Sequence, residues 1–305
     1  MQEWNDARRI NNNVYIGIGK GLLSLKLFNF YAADGTIHIG AADEQKMVDI
    51  SAAGCSWGWP EIFAEPERLL AQMKNILRHG KPLASNAQRF APAALNPEKI
   101  ICVGLNYRAH CAEVPFGAPE YPALFSKFNN ALNGHGGEVH LPEGAGELDY
   151  EAELVVVMGC RAKNVTEAEA VGAIFGYTAG NDFTARDLQR RTSQWLLGKT
   201  PDGFAPVGPY VVPASELDVS DLRVETFVNG EQRQAASTRD MVFSPAAIVS
   251  YISQYMTLAP GDIIFTGTPQ GVILGMPEKE RRWLVPGDEV IVKIEGVGEL
   301  RNIIV

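Results

Sequence analysis

The stretch Leu-Asp-Tyr-Glu-Ala-Glu-Leu-Val-Val-Val-Met-Gly (LDYEAELVVVMG, residues 148–159) predicts a β-strand, because a valine-rich run ends at a glycine. Three acids occupy alternate positions in its first half: Asp149, Glu151 and Glu153. Alternate side chains of a strand share a face, so the three carboxylates are expected on one side. Two interpretations remain open. The acidic face is either exposed to water or holds a divalent cation that offsets the repulsion between carboxylates.

A cation site on this strand needs a further acid from elsewhere in the chain. Asp182, in GNDFTARD (residues 180–187), is the candidate, since it lies between a glycine and the expected end of another strand. Carboxylates are hard oxygen ligands, which favour Mg²⁺ or Mn²⁺ and also suit Ca²⁺. The sequence therefore offers a possible oxygen-only site without excluding the exposed strand.

The composition excludes several classes of protein. The chain has 305 residues, of which 46% are hydrophobic, enough for one large domain or two moderate ones. Its formal net charge is −9, the opposite of a basic nucleic-acid-binding surface. An acidic balance favours solubility and cationic partners, including metal ions. We therefore expect neither nucleic acid nor membrane as a partner.

The N-terminal sequence and the cysteines bear on location. Residues 1–13 are polar and charged, unlike a signal peptide, and the apolar run at residues 14–30 is interrupted by lysine and glycine and is too short to span a bilayer. The four cysteines are scattered without paired spacing, which argues against a disulfide framework or a zinc cluster. These features predict a cytoplasmic protein with reduced thiols.

The order of predicted elements indicates a β-rich α+β fold. An amphipathic helix is expected over residues 65–80, followed by a segment with three prolines at residues 81–99. The end of this helix and the proline-containing segment predict a domain boundary, with a small N-terminal α/β domain over residues 1–95 and a catalytic domain over residues 96–305. Farther on, Thr166 and Glu169 form a capping-box pattern, and Asn229-Gly230 predicts a hairpin.

The segment GLNYRAHCAEV (residues 104–114) places His110 three residues before Glu113. On a helical turn the two side chains would be neighbours, and a carboxylate beside an imidazole raises its basicity and fixes its tautomer. A general base needs both properties. The alternative, an ordinary solvated helical turn, is favoured by the spacing alone, because His/Glu pairs three residues apart are common.

Two lysines and one turn have unusual surroundings. Lys127 lies among apolar residues, and Lys199 lies in a loop rich in glycine and proline. A lysine near a metal site could bind a substrate carboxylate or stabilise an enolate, whereas a surface lysine would do neither.

In FTGTPQGV (residues 265–272), Thr268 and nearby backbone amides could face an anion, although such turns are common.

Together these motifs resemble the fumarylacetoacetate hydrolase family. The resemblance covers roughly residues 99–305 and depends on the order and spacing of seven segments. The segments are GLNYRAHCAE, FSKFNN, LDYEAELVVVMG, GYTAGNDFTARDLQ, GKTPDGFAPVGP, FTGTPQGV and PGDEVIVKIEGVGELRN. The resemblance implies a mixed β-roll-like catalytic fold that is usually dimeric, so we expect a homodimer.

The resemblance also implies a set of site residues. The implied ligands of a divalent metal, Mg²⁺ or Mn²⁺, are Glu151, Glu153 and Asp182. The implied catalytic groups are the dyad of His110 and Glu113 on a mobile lid helix, together with Lys127 and Lys199. The implied contacts to the substrate's carboxylate and oxo oxygens are Arg186, Gln189 and Thr268. Gln270 and Ile273 are bulkier than the residues usual in the family, so we expect them to reshape substrate specificity.

The implied activity is hydrolysis of a carbon–carbon bond in a 2,4-dioxo acid of the acylpyruvate type, through a metal-stabilised pyruvate enolate. Hydrolysis comes first because both dyad residues are present. The same enolate serves oxaloacetate decarboxylation or tautomerisation, and proton shuttling alone would suffice for isomerising a hydroxymuconate-type diacid. A non-catalytic, metal-dependent metabolite-binding protein is the remaining alternative.

Overall fold

In the computed structural model, residues 24–55, 57–83, 89–112, 117 and 119–305 are described. Within these residues the strands are β1 (Lys26–Tyr31), β2 (Ile37–Ala42), β3 (Met47–Asp49), β4 (Arg89–Phe90), β5 (Ile100–Gly104), β6 (Ala123–Lys127), β7 (Leu132–Asn133), β8 (Glu138–Val139), β9 (Leu148–Asp149), β10 (Ala152–Met158), β11 (Ile174–Asn181), β12 (Thr184–Ala185), β13 (Ala205–Pro206), β14 (Tyr210–Pro213), β15 (Arg223–Val228), β16 (Glu231–Ser237), β17 (Ile263–Phe265), β18 (Glu289–Ile294) and β19 (Gly298–Ile304). The α-helices are α1 (Trp59–Ala64), α2 (Pro66–His79), α3 (Arg108–Ala112), α4 (Glu167–Ala173), α5 (Arg186–Gln189), α6 (Leu196–Lys199) and α7 (Pro245–Tyr255).

A ten-stranded mixed sheet dominates the fold. Its strand order is β3-β2-β1-β14-β11-β10-β17-β5-β6, with β4 pairing to β1. Strand β10 lies near the middle, antiparallel to β11 and β17, while β17 and β5 run parallel. A second, five-stranded sheet has the order β16-β15-β18-β19-β8. The strand-rich α+β class predicted from the sequence is confirmed.

Strand β10 is apolar on both faces because helices cover the sheet from both sides. Leu154, Val156 and Met158 join a core cluster that includes side chains of α4 and α7. Val155 and Val157 point the other way, into a cluster that includes side chains of α2. A strand buried on both faces reads as a continuous apolar run rather than an alternating one, which explains the valines of the quoted stretch.

The short-range predictions are confirmed. The amphipathic helix forms as α2 and ends at His79. The hydroxyl of Thr166 accepts from the backbone N–H of Glu169, whose carboxylate accepts in return, which completes the capping box of α4. Asn229 and Gly230 both adopt positive φ and join β15 to β16 as a hairpin.

The predicted domain division near residue 95 stays a prediction. Strands from both sides of it share the large sheet, since β1 pairs antiparallel with β14. None of the helices in the described ranges is long and apolar enough to cross a membrane.

Residues 148–159 are not one continuous strand, which corrects the prediction from the sequence. They divide into β9 and β10, with Tyr150 and Glu151 between them. The break is stabilised from the neighbouring strand: the backbone N–H of Glu151 donates to Asn181 Oδ1 at 2.8 Å, and the N–H of Asp182 donates to the Glu151 carbonyl at 2.9 Å. Because the regular strand is interrupted at residues 150 and 151, strand alternation no longer places the three acids on one face.

Candidate active site

Three carboxylates meet beside the start of β10. One oxygen from each of Glu151, Glu153 and Asp182 lies within 4.8 Å of the other two, and all three side chains are buried. The backbone brings them together because Glu153 pairs across β10 and β11 with Gly180, two residues before Asp182. The grouping expected for the metal ligands is therefore present.

Two buried lysines contact this group. Lys199 Nζ donates to Asp182 Oδ2 at 2.6 Å and also to Glu151 Oε2. Lys127 Nζ lies 2.6 Å from Asp182 Oδ1 and donates to the carbonyls of Phe183 and Phe204 at 2.9 and 2.8 Å. Lys127 therefore supports Asp182 from behind. Lys127 is not among the residues that line the cavity, and its expected catalytic role stays a prediction.

Lys199 reaches the carboxylates from helix α6, where the sequence predicted a loop. Pro201 follows closely and limits the helix to four residues. The helix lies against α5 at Gly198, where an added Cβ would come within 2.5 Å of the backbone nitrogen of Gln189. Glycine at this position therefore permits the close approach of α6 that carries Lys199 into the site.

Asp149, which had no assigned role, is a buried anchor. Its Oδ1 accepts from the backbone N–H of Ile273 at 2.8 Å, and its Oδ2 accepts from that of Leu274 at 3.0 Å and from Arg186 Nε at 2.9 Å. Arg186 also donates to Glu151 Oε1 at 2.6 Å. Asp149 thus holds both the guanidinium and the loop at residues 272–275.

The charges shift the ionisation of these groups in opposite directions. Burial, followed by the carboxylates of Asp182 and Glu151, raises the pKa of Glu153 well above its ordinary range. Burial acts the same way on Glu151, but Arg186 and Lys199 outweigh it and hold the pKa of Glu151 below its ordinary value. Burial also opposes the charge on Lys199, yet the carboxylates of Asp182 and Glu151 raise its pKa. Glu153 is therefore the carboxylate whose charge is least compensated by the protein.

A cavity of about 600 Å³ opens onto the carboxylates. Residues predicted for the site that line it are His110, Glu151, Glu153, Arg186, Gln189, Lys199 and Thr268. Its walls also carry Phe125, Trp195, Arg190 and Arg281. Asp182 is fully buried and is not among the residues that line the cavity. The cavity is large enough for a small organic acid.

His110 lies on the short helix α3 and lines the cavity. Its predicted dyad partner, Glu113, lies outside the described residues, so the dyad stays a prediction. Gln189 accepts from Arg186 Nη1 through its Oε1 at 3.2 Å. The amide nitrogen of Gln189 is thereby left to donate to a ligand oxygen.

The turn that follows β17 forms another wall of the cavity. The backbone N–H of Gly267 donates to Glu153 Oε2 at 2.6 Å, and Thr268 lines the cavity one residue later. Gly267 has φ of +97°, and an added Cβ would lie 2.7 Å from Asn106 Cβ. Only glycine combines this conformation with such a close approach. The turn is thus shaped to present its amide to the carboxylate.

Gln270 and Ile273 do not lie in the cavity wall, contrary to the expectation that their bulk reshapes specificity. Gln270 Nε2 donates to the Ala235 carbonyl at 3.2 Å, and Ile273 packs into a separate apolar core. The wall is formed by Val272, Leu274 and Gly275. The sequence placed the right loop at the site but the wrong side chains, since the direction of each depends on Asp149 and the adjoining core.

Comparison with known proteins agrees with this geometry. The sequence model "Fumarylacetoacetate (FAA) hydrolase C-terminal" matches residues 99–305. The chain belongs to the fumarylacetoacetate hydrolase family. The match covers the segments from which the resemblance was inferred, and it includes every predicted site residue.

Relatives of this family match nearly the whole chain. The Xenopus laevis protein named oxaloacetate tautomerase fahd2, mitochondrial, is 36% identical over 98% of both chains. The fumarylacetoacetate hydrolase of the psychrophile Exiguobacterium antarcticum has a TM-score of 0.81 and 34% identity, over 92% of this chain and 99% of that one. The 5-carboxymethyl-2-hydroxymuconate delta-isomerase of Mycobacterium smegmatis has a TM-score of 0.73 and 33% identity, over 92% and 98%.

The three carboxylates fit a divalent metal on their own chemistry. All donors are oxygen, the preferred ligands of Mg²⁺ and Mn²⁺, and the ligand oxygens are close enough to share one ion. Glu153 supports the fit, because burial and two neighbouring carboxylates oppose its charge and a cation would remove that cost.

Proposed function

We propose that this protein is a divalent-metal-dependent enzyme that interconverts the keto and enol forms of a 2-oxo dicarboxylic acid of the oxaloacetate type. The observation that carries the proposal is the meeting of three buried carboxylates, Lys199 and Arg186 at one cavity that His110 also lines. Tautomerisation needs only substrate charges held in place, one group that moves a proton, and stabilisation of an enolate oxygen. The Xenopus laevis relative carries this activity in its name.

The proposed binding step uses the polar groups of the cavity wall. Arg186 binds the carboxylate next to the 2-oxo group, and the Gln189 amide and Thr268 hydroxyl donate to its oxygens. Asp149 and Glu151 hold Arg186 in place through charge-assisted hydrogen bonds at 2.9 and 2.6 Å. Preformed donors bind the substrate without the cost of rearranging the site.

The proposed chemical step moves one proton. His110 removes the proton from carbon 3, the electron pair of that C–H bond forms the C2=C3 double bond, and negative charge develops on the oxygen at carbon 2. Lys199 places its ammonium beside that oxygen, and the proton taken by His110 is returned to the oxygen, which completes the enol. When bound by Glu151, Glu153 and Asp182, Mg²⁺ or Mn²⁺ supplies Lewis-acid stabilisation of the same charge.

The second candidate is the hydrolysis of an acylpyruvate, the first expectation from the sequence. Its support is His110 in the cavity wall, the spacing to Glu113, and the likeness to the Exiguobacterium antarcticum hydrolase. In that reaction His110, oriented by Glu113, takes a proton from a water that attacks the distal carbonyl. The bond between the distal carbonyl carbon and carbon 3 then breaks, and its electron pair forms the pyruvate enolate. The proton held by His110 is returned to carbon 3, which gives pyruvate beside the carboxylic acid.

The test is a panel of oxaloacetate, 2,4-dioxo acids and hydroxymuconate-type diacids with Mg²⁺ or Mn²⁺, compared by kcat/KM. We expect the highest value for oxaloacetate tautomerisation. This reaction is measured as the loss of the absorbance of the enol. His110→Ala should lower that kcat by about 100-fold or more, the usual contribution of a general base. Unchanged tautomerisation in this variant would remove His110 from the mechanism, and a higher kcat/KM on a dioxo acid would favour the second candidate.

Location and assembly belong to the same proposal. We propose a cytoplasmic homodimer acting on a small oxo acid, as the family resemblance and the composition suggest. Light scattering coupled to size-exclusion chromatography tests the assembly, and a monomer at micromolar concentration would contradict it.

A further inference from the structure

Gln234, on strand β16, lies outside the cavity wall yet is joined to it through four hydrogen bonds. Its Oε1 accepts from Thr226 Oγ1 at 2.6 Å and from the backbone N–H of Ala152 at 3.1 Å. Its Nε2 donates to Thr268 Oγ1 at 2.9 Å and to the Pro269 carbonyl at 2.8 Å. Gln234 is 1% exposed, so these hydrogen bonds are shielded from bulk water.

Two backbone groups fix the orientation of the Gln234 amide. The N–H of Ala152 is only a donor, so the atom facing it must be the amide oxygen. The carbonyl of Pro269 is only an acceptor, so the atom facing it must be the amide nitrogen. A flipped amide would set N–H against N–H and oxygen against oxygen in a buried site, which is costly.

The orientation of the Gln234 amide decides whether the Thr268 hydroxyl donates or accepts the hydrogen bond between them. The second amide hydrogen of Gln234 points to Thr268 Oγ1, which therefore acts as an acceptor towards the protein. Among the described residues Thr268 Oγ1 donates to no protein group, and the side chain lines the cavity. Its single proton is thus available to a ligand in the cavity.

We propose that Gln234 is a positioning residue that fixes Thr268 as a hydrogen-bond donor to the substrate. The inference rests on the proposed function and deepens it: the position beside Thr268 takes an oxygen with no proton, such as a carboxylate or carbonyl oxygen. A substrate hydroxyl bound there would have to accept. Gln234 also joins this donor to Ala152, which lies between the proposed ligands Glu151 and Glu153, so the donor keeps a set distance from the metal ligands.

The test is a double-mutant cycle on oxalate binding. Oxalate is a planar dicarboxylate that presents only acceptor oxygens and does not react, and its Kd is measured by calorimetry on the Mn²⁺-loaded protein. Thr268→Val removes the donor and should weaken oxalate binding about tenfold, the usual value of a hydrogen bond to a charged group. Thr268→Ser keeps the hydroxyl and should bind within about twofold of wild type.

Gln234→Glu is the second arm of the cycle. Ionised or protonated, glutamate supplies at most one proton where the glutamine amide supplies two, and the Pro269 carbonyl competes for it. The Thr268 hydroxyl then turns to donate to the glutamate, so oxalate binding should weaken about tenfold. In the Thr268→Val background the same change should add less than about twofold, because the group through which Gln234 acts is gone. Losses that multiply to about a hundredfold would overturn the inference.

Gln234→Met covers the case in which the glutamate variant does not fold. It has similar volume and no donor, so the Thr268 hydroxyl rotates freely, and we expect a loss of about threefold that disappears with Thr268→Val. A purely structural role would instead lower the unfolding temperature and affect oxalate binding by the same factor in both backgrounds. That result also overturns the inference.

The readouts separate this inference from the proposed function. A wild-type protein that binds oxalate but converts none of the oxo acids contradicts the proposed function, while the cycle still decides the role of Gln234. An active wild-type protein in which Thr268→Val leaves the oxalate Kd and the substrate KM unchanged overturns the inference and the proposed Thr268 contact, while the proposed reaction stands.

Discussion

Asp149 and Glu153 lie four residues apart in the same acidic stretch, and both are buried, yet they have different surroundings. Asp149 accepts from three backbone N–H groups, those of Tyr150, Ile273 and Leu274, and from Arg186. Glu153 accepts from one backbone N–H, that of Gly267, in the part of the chain that the structure describes.

The difference separates a carboxylate that holds the site together from one that is available to a ligand. A buried carboxylate whose oxygens are all engaged has little capacity left for a cation. In a buried carboxylate with one hydrogen bond and two acidic neighbours, burial and repulsion disfavour the charged form, and a bound cation offsets that cost. Both side chains are buried carboxylates, so the hydrogen-bond partners distinguish the role of each.

The largest effect should follow removal of the ligand charge. Glu153→Gln keeps size and shape but loses the carboxylate, so we expect kcat/KM on the best substrate and affinity for Mn²⁺ both to fall by at least about a hundredfold. Groups that merely support a ligand already cost 10–100-fold when removed. The control is Glu143→Gln on an exposed loop, which changes the net charge equally. Equal Mn²⁺ affinity in the two variants would contradict the assignment of Glu153 as a carboxylate that binds the cation.

Asp149→Asn should mainly affect stability. An amide nitrogen in place of Oδ2 faces two donors, Leu274 N–H and Arg186 Nε, and accepts from neither. Leaving them unpaired in a buried site should cost about 2–3 kcal/mol of unfolding free energy, measured by chemical denaturation. Mn²⁺ affinity should fall less than in Glu153→Gln.

The control for Asp149→Asn is Glu147→Gln, which breaks a partly exposed ion pair with Arg190 nearby. Exposed pairs contribute little, so its unfolding free energy should change by less than about 1 kcal/mol. If both variants lose the same free energy, Asp149 is not the anchor that its contacts indicate.

A smaller effect tests the cost of the charge on Glu153. In metal-free protein at neutral pH, Glu153→Gln removes one of three crowded carboxylates, so the unfolding temperature should rise by about 2 °C or more, read by scanning calorimetry. Added Mn²⁺ should raise that temperature in wild type but not in the variant, because only the wild type binds it in the folded state. A lower unfolding temperature in the metal-free variant would show that Glu153 is already satisfied by the protein.

The smallest predicted effect concerns the pH dependence of stability at His135, a titratable side chain that does not line the cavity. His135 Nδ1 accepts from the Arg301 N–H at 3.2 Å, and burial lowers the pKa of His135. Because the folded pKa lies below the unfolded value near 6.5, the imidazole's contribution to stability is fully present above the unfolded value. It is lost as pH falls from there through the folded pKa. His135→Asn should therefore lose less stability than wild type between about pH 7 and pH 5. Parallel stability curves would assign the acid sensitivity to other groups.

Much of the local structure follows from short-range sequence patterns. The apolar repeat of α2, the capping box at Thr166 and the Asn229-Gly230 turn each form as predicted, because each depends on residues within one or two turns of chain. The resemblance to the family identified Glu151, Glu153 and Asp182, whereas the alternation of acids along the strand offered Asp149 as well. Gln234 was not, since a glutamine in a strand carries no distinguishing local signal.

The sequence alone thus determined the strand-rich class, the family and the three acids that meet at the cavity. The tertiary structure alone decided that the acidic strand breaks at Tyr150 and Glu151, that Asp149 anchors Arg186, and that Lys127 stands behind Asp182. The physical reason is distance along the chain. The amide of Ile273 that binds Asp149 is 124 residues away, and no local pattern encodes which buried carboxylate such a partner will reach.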